Sequence, residues 1–120
     1  MTTLIIEPPC DFINANQRLH FQAKAKLTKA WREAAMIAAL AVRDLYETYP
    51  RAHVVITYRL ADDRRREVSN LQPTSKAILD GIVDSGLLVD DSDAHVIGPD
   101  NRRERPNGPP RATVTIKEAA

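Results

Sequence analysis

The hydrophobic residues of this chain fall into segments with two different spacings, and these spacings predict its secondary structure. Residues 2 to 7 are rich in β-forming residues and stop at a pair of prolines, which cannot donate ladder hydrogen bonds, so we expect a short strand. Residues 53 to 60 alternate between apolar and polar, which is the period of a half-buried strand. Two further strands are predicted at residues 94 to 98 and 112 to 117.

Two other segments have the spacing of three and four residues that is typical of amphipathic helices. The first helix is expected to end before Pro50, and its apolar face contains Leu27, Trp31, Ala34, Ala38, Ala41, Leu45 and Tyr49. The second helix follows Asn70, with Pro73 in its first turn and Gly86 placed to end it. Its predicted buried stripe contains Ile78, Leu79, Ile82 and Val83.

The predicted element order is β-α-β-α-β-β. Two long crossovers that return to strands imply helices packed on a sheet. We therefore expect an α/β (α+β) fold of two layers, with two helices on one face of a mixed sheet and a closing hairpin formed by the last two strands. The polar loop at residues 100 to 110 is expected to be the most mobile element. At 120 residues, the chain is expected to form a single domain over residues 1 to 120.

Composition narrows the classes of function. A net charge of +1 argues against a protein that coats DNA by bulk electrostatics, so any contact with nucleic acid must come from local patches. No apolar stretch approaches the roughly 18 residues of a membrane span, and the N-terminus lacks the features of a signal peptide. We expect a cytoplasmic protein without membrane contact. The one cysteine, Cys10, cannot form an internal disulfide and receives no role.

Charge is strongly segregated along the second half of the chain. Residues 77 to 93 contain five aspartates and neither lysine nor arginine, whereas residues 101 to 117 contain five cations and one acid. A second basic segment consists of Arg64, Arg65 and Arg66. Carboxylates repel phosphate unless a divalent cation neutralises them, whereas arginines attract it. Together they indicate metal-assisted chemistry on a nucleic-acid backbone.

Asp90 and Asp91 have two interpretations. Adjacent acids commonly mark a solvated turn. Glu67, however, follows the preceding strand and is placed to reach the same end of the sheet, and Mg²⁺ needs only one or two carboxylates together with waters. Because successive side chains in extended backbone point in opposite directions, we expect only one of the two aspartates to face the metal.

Lys76, Asp80 and Asp84 share one face of the second predicted helix. They are either a solvated face with weak pairing between successive turns, or part of a site. In the second case Lys76 stabilises charge that develops on a phosphate, Asp80 holds Lys76 in place, and Asp84 faces solvent. The three histidines lack the spacing of metal ligands and are expected to be structural.

These residues occur in a characteristic order, namely Arg64, Arg65, Arg66, Glu67, Asn70, Lys76, Asp80, Gly86, Asp90 and Asp91. Over residues 62 to 96, the order resembles the signature region of RusA-type Holliday junction resolvases. In that family a run of arginines leads into an Asp-x-Asp-Asn motif, a lysine follows on a helix, and an Asp-Asp pair comes after a glycine. A weaker similarity to the polar N-terminal segment of the family involves Pro8, Pro9, Asn14, Asn16, Arg18 and His20.

The resemblance implies a homodimeric endonuclease that depends on Mg²⁺, or on Mn²⁺ in its place. Such an enzyme nicks four-way DNA junctions at paired symmetric positions in recombination, repair or phage DNA processing. It implies that Glu67, Lys76 and Asp91 are catalytic, and that Glu67, Asp90 and Asp91 hold the metal. The resemblance and the basic segments together imply a set of DNA-binding residues, namely Arg64, Arg65, Arg66, Asn70, Arg102 and Arg103.

Two features depart from the family pattern. Ser69 occupies the place of the second aspartate, which removes a carboxylate, and residues 73 to 75 are an insertion before Lys76. Asp80 or a water is then needed as a replacement ligand. Two alternatives stay open: a junction-binding or regulatory DNA-binding protein with an impaired metal site, and a small interaction module whose charges only keep it in solution.

Overall fold

A four-stranded mixed sheet carries two helices in this computed structural model, which describes residues 1–43, 48–64 and 66–120. The elements are β1 (Thr2–Ile6), α1 (Phe21–Arg43), β2 (Ala52–Arg59), a 3₁₀ turn (Val68–Leu71), α2 (Gln72–Ser85), β3 (Val96–Glu104) and β4 (Arg111–Glu118). The predicted α+β class, the mixed sheet and the element order are confirmed. Two residues named from the sequence, Leu45 and Arg65, lie outside the described residues.

The strands lie in the order β1-β4-β2-β3. β4 pairs antiparallel with both β1 and β2, and β3 pairs in parallel with β2 alone. The predicted hairpin between the last two strands is therefore wrong, because β2 separates them. Burial explains the placement. Ala112, Val114 and Ile116 of β4 are fully buried, as in a central strand, whereas β3 has only Val96 buried and lies at the edge.

β3 is also longer than predicted. It continues through Gly98 and Pro99 to Glu104, so that Arg102 and Arg103 lie in the strand, and the loop is limited to residues 105 to 110. Proline is tolerated here because β3 is an edge strand and its register with β2 shifts between His53 and Val55. Gly98 has a φ of 99°, and a Cβ there would lie 2.7 Å from the carbonyl oxygen of Val54.

One face of the sheet is buried beneath the helices. Its core residues alternate along three strands and include Leu4, Ile6, Val54, Ile56, Tyr58, Val114 and Ile116. This alternation confirms the predicted strand period for β2 and places both helices in a single layer.

α1 begins at Phe21, six residues before the predicted stripe, and its buried residues are Trp31, Ala35 and Ala39. Leu27, Ala34 and Ala38 of the predicted stripe are partly buried and pack against the core, whereas Ala41 is exposed. Alanines occur in adjacent pairs in this segment, so spacing alone does not distinguish the two faces. Tyr49 was also placed wrongly on this helix, since it forms an isolated β-bridge with Leu88. No helix in the described ranges is long and apolar enough to cross a membrane.

α2 packs closely against α1. A Cβ at Gly81 would lie 2.1 Å from the carbonyl oxygen of Arg32, so the two backbones approach each other directly at this position. Arg32 also binds Asp84 with two hydrogen bonds, of 2.5 Å from Nε and 2.8 Å from Nη2. Asp84 is exposed, as predicted, and it also pairs with α1 through Arg32. As predicted, α2 ends at Gly86, which has a φ of 84°.

Candidate functional site

Lys76 is the centre of a charged cluster on α2. Its Nζ donates to Oδ1 of Asp80 at 2.9 Å, one turn further along the helix, and it also binds Oδ2 of Asp91 in the loop after α2. The contact with Asp80 is the pairing between successive turns that both interpretations of this helix face predict. Lys76 is exposed, and the two aspartates are half-buried. A cation and two carboxylates therefore meet at one point that is open to solvent.

This geometry shifts the titration of the groups involved. The hydrogen bond from Lys76, reinforced by its positive charge, holds the pKa of Asp91 below its usual range. The hydrogen bonds to Asp91 and then Asp80 raise the pKa of Lys76. Both partners therefore carry their charges throughout the neutral range.

Asp90 differs from its neighbour. Its Oδ1 accepts a hydrogen bond of 2.7 Å from the backbone N–H of Asp91, and the residue is exposed. Asp90 thus shapes the loop, while Asp91 faces the lysine. Only Asp91 of the pair reaches the charged cluster, and it does so from a bend rather than from extended backbone.

Glu67 opens to a different cleft. It lies before the 3₁₀ turn and, with Asn14, Arg66 and Asn70, lines a polar cleft of about 450 Å³. The backbone oxygen of Asn70 accepts a hydrogen bond of 2.7 Å from the N–H of Ala15, which holds the N-terminal segment beside Glu67. The segment with the weaker family similarity is therefore part of this cleft.

The residues predicted as metal ligands are not assembled into a complete site. Among the residues that the structure describes, no group of three or more histidines, cysteines, aspartates or glutamates is placed to hold a metal ion. Glu67, Asp90 and Asp91 are therefore not a preassembled set of three ligands. The carboxylates that do converge are Asp80 and Asp91, on either side of the Lys76 ammonium.

The inserted residues before Lys76 anchor the helix that carries it. Thr74 is fully buried, and its hydroxyl accepts a hydrogen bond of 2.7 Å from the N–H of Ile13 and donates one of 2.8 Å to the carbonyl of the same residue. The first turn of α2 is thereby tied to the N-terminal segment. From sequence, a polar residue at this position looks like an ordinary helix start, so nothing signalled this contact.

Ser75 makes a second anchor through a chain of side chains. The hydroxyl of Tyr58 lies 2.6 Å from Oγ of Ser75, which donates to Oδ1 of Asn101 at 2.5 Å. Asn101 in turn donates to Oε1 of Gln72 at 2.7 Å. The chain joins β2, α2 and β3, and it fixes the helical turn from which Lys76 projects. Burial raises the pKa of Tyr58, so its hydroxyl stays protonated and can donate.

The arginines of the basic segments have different surroundings. Arg103 donates to the carbonyl oxygens of Arg64 at 2.7 Å and Asp62 at 2.8 Å, so it braces the loop before Glu67. Arg66 pairs with the carboxylate of Asp62 at 3.2 Å. The side chain of Arg64 is 81% exposed. Of these three, Arg64 is the most available to a phosphate.

Ser69 lies beside β3. It lines a cleft of about 330 Å³ together with Asn101 and the exposed Arg102. Arg102 is thus close to the Glu67 segment, although its strand was predicted to end before it. A phosphate in this cleft would meet a hydroxyl and a guanidinium.

Models of known protein families give no match to this chain, and curated proteins give none either. The similarity to RusA-type resolvases is therefore a matter of the residues named above. What the site does must be inferred from the chemistry of Lys76, its two aspartates and the surrounding arginines.

Proposed function

We propose that this protein is a magnesium-dependent endonuclease that cuts four-way DNA junctions in recombination, repair or phage DNA processing. One observation carries the proposal: Lys76 contacts both Asp80 and Asp91, so a cation and two carboxylates share one exposed point. Arg64, whose side chain is 81% exposed, supplies attraction for a polyanion that carboxylates alone would repel.

The two carboxylates suit Mg²⁺ better than a metal whose ligands must all come from protein side chains. Mg²⁺ is often held by one or two carboxylates with waters completing its shell, and Asp80 and Asp91 already converge on one cation. Asp91 is the main proposed ligand, and Asp80 replaces the carboxylate missing at Ser69. Glu67 and Asp90 stay proposed as metal ligands, and Glu67, which lines a different cleft, would have to move toward Asp91 to join it. Bound magnesium would supply an activated water for attack on a phosphodiester.

Lys76 is proposed to stabilise the negative charge that develops on the phosphate. Hydrogen bonds to Asp91 and Asp80 raise the pKa of Lys76, so Lys76 keeps its proton at neutral pH. The same contacts hold its ammonium beside these two carboxylates, which are the proposed metal ligands. Arg64, Arg66, Asn70 and Arg102 position the DNA. A homodimer places two such sites across the two-fold axis of a junction, which accounts for paired symmetric nicks.

The test is nicking of a synthetic four-way junction by the purified protein during a magnesium titration. Asp91→Asn preserves the shape of the side chain and removes its charge, so we expect cleavage to fall by at least about 100-fold. Asp93→Asn is the matched control, because Asp93 is an exposed acid two residues away. Equal cleavage by the wild type and Asp91→Asn would remove Asp91 from the mechanism, and undiminished nicking in excess EDTA would exclude magnesium.

A second candidate is a junction-binding protein with an impaired metal site. Two observations favour it, namely the serine at position 69 and the lack of a three-ligand group among the described residues. It predicts that the wild type binds junctions without nicking them and that Ser69→Asp gains nicking. An interaction module without DNA function would instead show no preference for branched over linear DNA at moderate salt.

A further inference from the structure

The first turns of α1 are not part of the core. Residues 15 to 26 are all exposed, and the first buried residue of the helix is Trp31. Phe21, the first residue of α1, is 73% exposed. Burial therefore does not explain why the chain forms helix over this segment or why it carries an aromatic side chain there.

One face of this segment forms a shallow groove of about 470 Å³, lined by Phe21, Lys24, Ala25, Thr28, Lys29 and Arg32. Steps of three and four residues place these side chains on one side of a helix. The small side chains of Ala25 and Thr28 form the floor between the two lysines. From Phe21 to Lys29 the helix rises about 12 Å, which matches the length of three to four nucleotides at 3.4 Å per charge on each strand.

The charge of this region has a single sign. Residues 12 to 32 contain five cations and no acid. Arg32 is engaged by Asp84, and Lys29 lies 3.8 Å from Glu33 with both side chains largely exposed. Lys24 forms no ion pair within the described ranges. An exposed ion pair such as that of Lys29 with Glu33 is weak. The groove therefore presents at least two available ammonium groups, those of Lys24 and Lys29.

A second aromatic ring lies at the start of the groove. The ring of Phe21 lies 4.6 Å from that of His20. An aromatic face is therefore available beside the lysines for a base to stack on.

We propose that this groove binds the sugar-phosphate backbone of an unpaired strand of the DNA junction, with Lys24 and Lys29 at phosphates and Phe21 stacked on a base. The inference rests on the proposed function for the identity of its ligand. Unpaired bases stack readily on aromatic side chains, and lysines follow the backbone without reading sequence.

An anionic membrane surface fits the same region less well. Membrane-bound helices need a broad apolar face opposite their lysines. The other exposed apolar residues of α1, Ile37 and Leu40, lie about four turns along the helix and point to a different side from Phe21. In this groove the lysines and the ring of Phe21 lie on one face of the helix. A single DNA strand, which carries both phosphates and bases, requires this arrangement.

The experiment measures binding of a fluorescently labelled four-way junction with single-stranded arms across a range of salt concentrations. We expect the double variant K24A/K29A to bind about tenfold more weakly at moderate salt and to reduce the slope of log affinity against log salt by about 2. Phe21→Ala should weaken binding about tenfold with the slope unchanged. Lys26→Ala is the matched control, since Lys26 is an exposed lysine of the same segment that does not line the groove.

The outcomes separate the two proposals. A wild-type protein that does not bind branched DNA would overturn the proposed function. If the wild type binds the junction and K24A/K29A binds it as tightly as Lys26→Ala does, the groove proposal is overturned and the proposed function stands. Binding to vesicles of anionic lipid that is lost in K24A/K29A, with DNA binding unchanged, would also overturn the groove. Circular dichroism of each variant checks that α1 is still formed.

Discussion

At the scale of single residues, two threonines have buried hydroxyls in opposite situations. The hydroxyl of Thr74 makes two hydrogen bonds to the backbone of Ile13, whereas Oγ1 of Thr113 is buried without a partner within the described part of the chain. Thr74→Val keeps the shape and leaves the N–H of Ile13 unpaired, so we expect a loss of about 1–3 kcal/mol in the free energy of unfolding. Urea denaturation measures this loss.

Thr113→Val is the matched control for that prediction. The same substitution here removes a hydroxyl that makes no hydrogen bond, so stability should stay unchanged or rise slightly. Equal destabilisation by both variants would show that the Thr74 contact with Ile13 is unimportant to the fold.

The pair of Lys76 and Asp91 predicts a dependence on pH. The lowered pKa of Asp91 means that its ionised form stabilises the fold above its unfolded value of about 3.9, and this stabilisation is lost as pH falls through the lowered value. The raised pKa of Lys76 gives stabilisation that is present below about 10.4 and is lost as pH rises through the raised value. We expect Lys76→Met to bring the pKa of Asp91 back up, as measured by carboxyl NMR titration.

Lys117→Met serves as the control for this titration, since Lys117 is an exposed lysine in β4, away from the α2 cluster. It should leave the titration of Asp91 unaffected. An Asp91 carboxyl that titrates identically in Lys76→Met and the wild type would contradict the contact with Lys76.

The residues of the site were partly predictable because some of them signal through short-range spacing. The pairing of Lys76 with Asp80 follows from one helical turn, and the sequence indicated it. The anchors Thr74 and Ser75 were missed because their partners are distant in sequence. Arg103 looked like a free cation, since nothing local shows that backbone carbonyls use its donors.

At the scale of elements, the contact between α1 and α2 depends on a missing side chain. Helix propensity alone would make Gly81→Ala stabilising by about 1 kcal/mol. The new Cβ would, however, lie 2.1 Å from the carbonyl of Arg32, so the helices must separate. We expect a net loss of about 1–3 kcal/mol, measured by thermal unfolding.

Gly108→Ala provides the comparison for the same chemical change. Its Cβ would meet the guanidinium of Arg59 at 2.9 Å, which is the end of a flexible side chain rather than backbone. The expected loss is therefore smaller than at Gly81. A Gly81→Ala protein as stable as the wild type would mean that the helices can separate at little cost.

The elements were more predictable than their arrangement. Period-two alternation identified β2 correctly, and Gly86 marked the end of α2, because both signals are local. The pairing of β3 was not predictable in this way. Gly98 and Pro99 read as the end of a strand, and only the shifted register beside β2 shows how the strand continues through them.

At the scale of the whole molecule, a net charge of +1 is compatible with local patches of opposite sign. Asp80 and Asp91 meet at Lys76, while Lys24 and Lys29 line one side of α1. Long-range attraction of a polyanion therefore depends on which side of the protein it approaches. Composition alone predicted the near-neutral total, and the separation into faces required the fold.

The central place of β4 has a consequence for how the protein is made on the ribosome. β1 precedes the other three strands of the sheet in the sequence, yet its ladder is formed with β4, whose last residue is Glu118. A nascent chain that has been synthesised only as far as residue 100 holds β1 without its partner strand. β1 can therefore pair only after β4 has been synthesised, and the four-stranded sheet is complete only then.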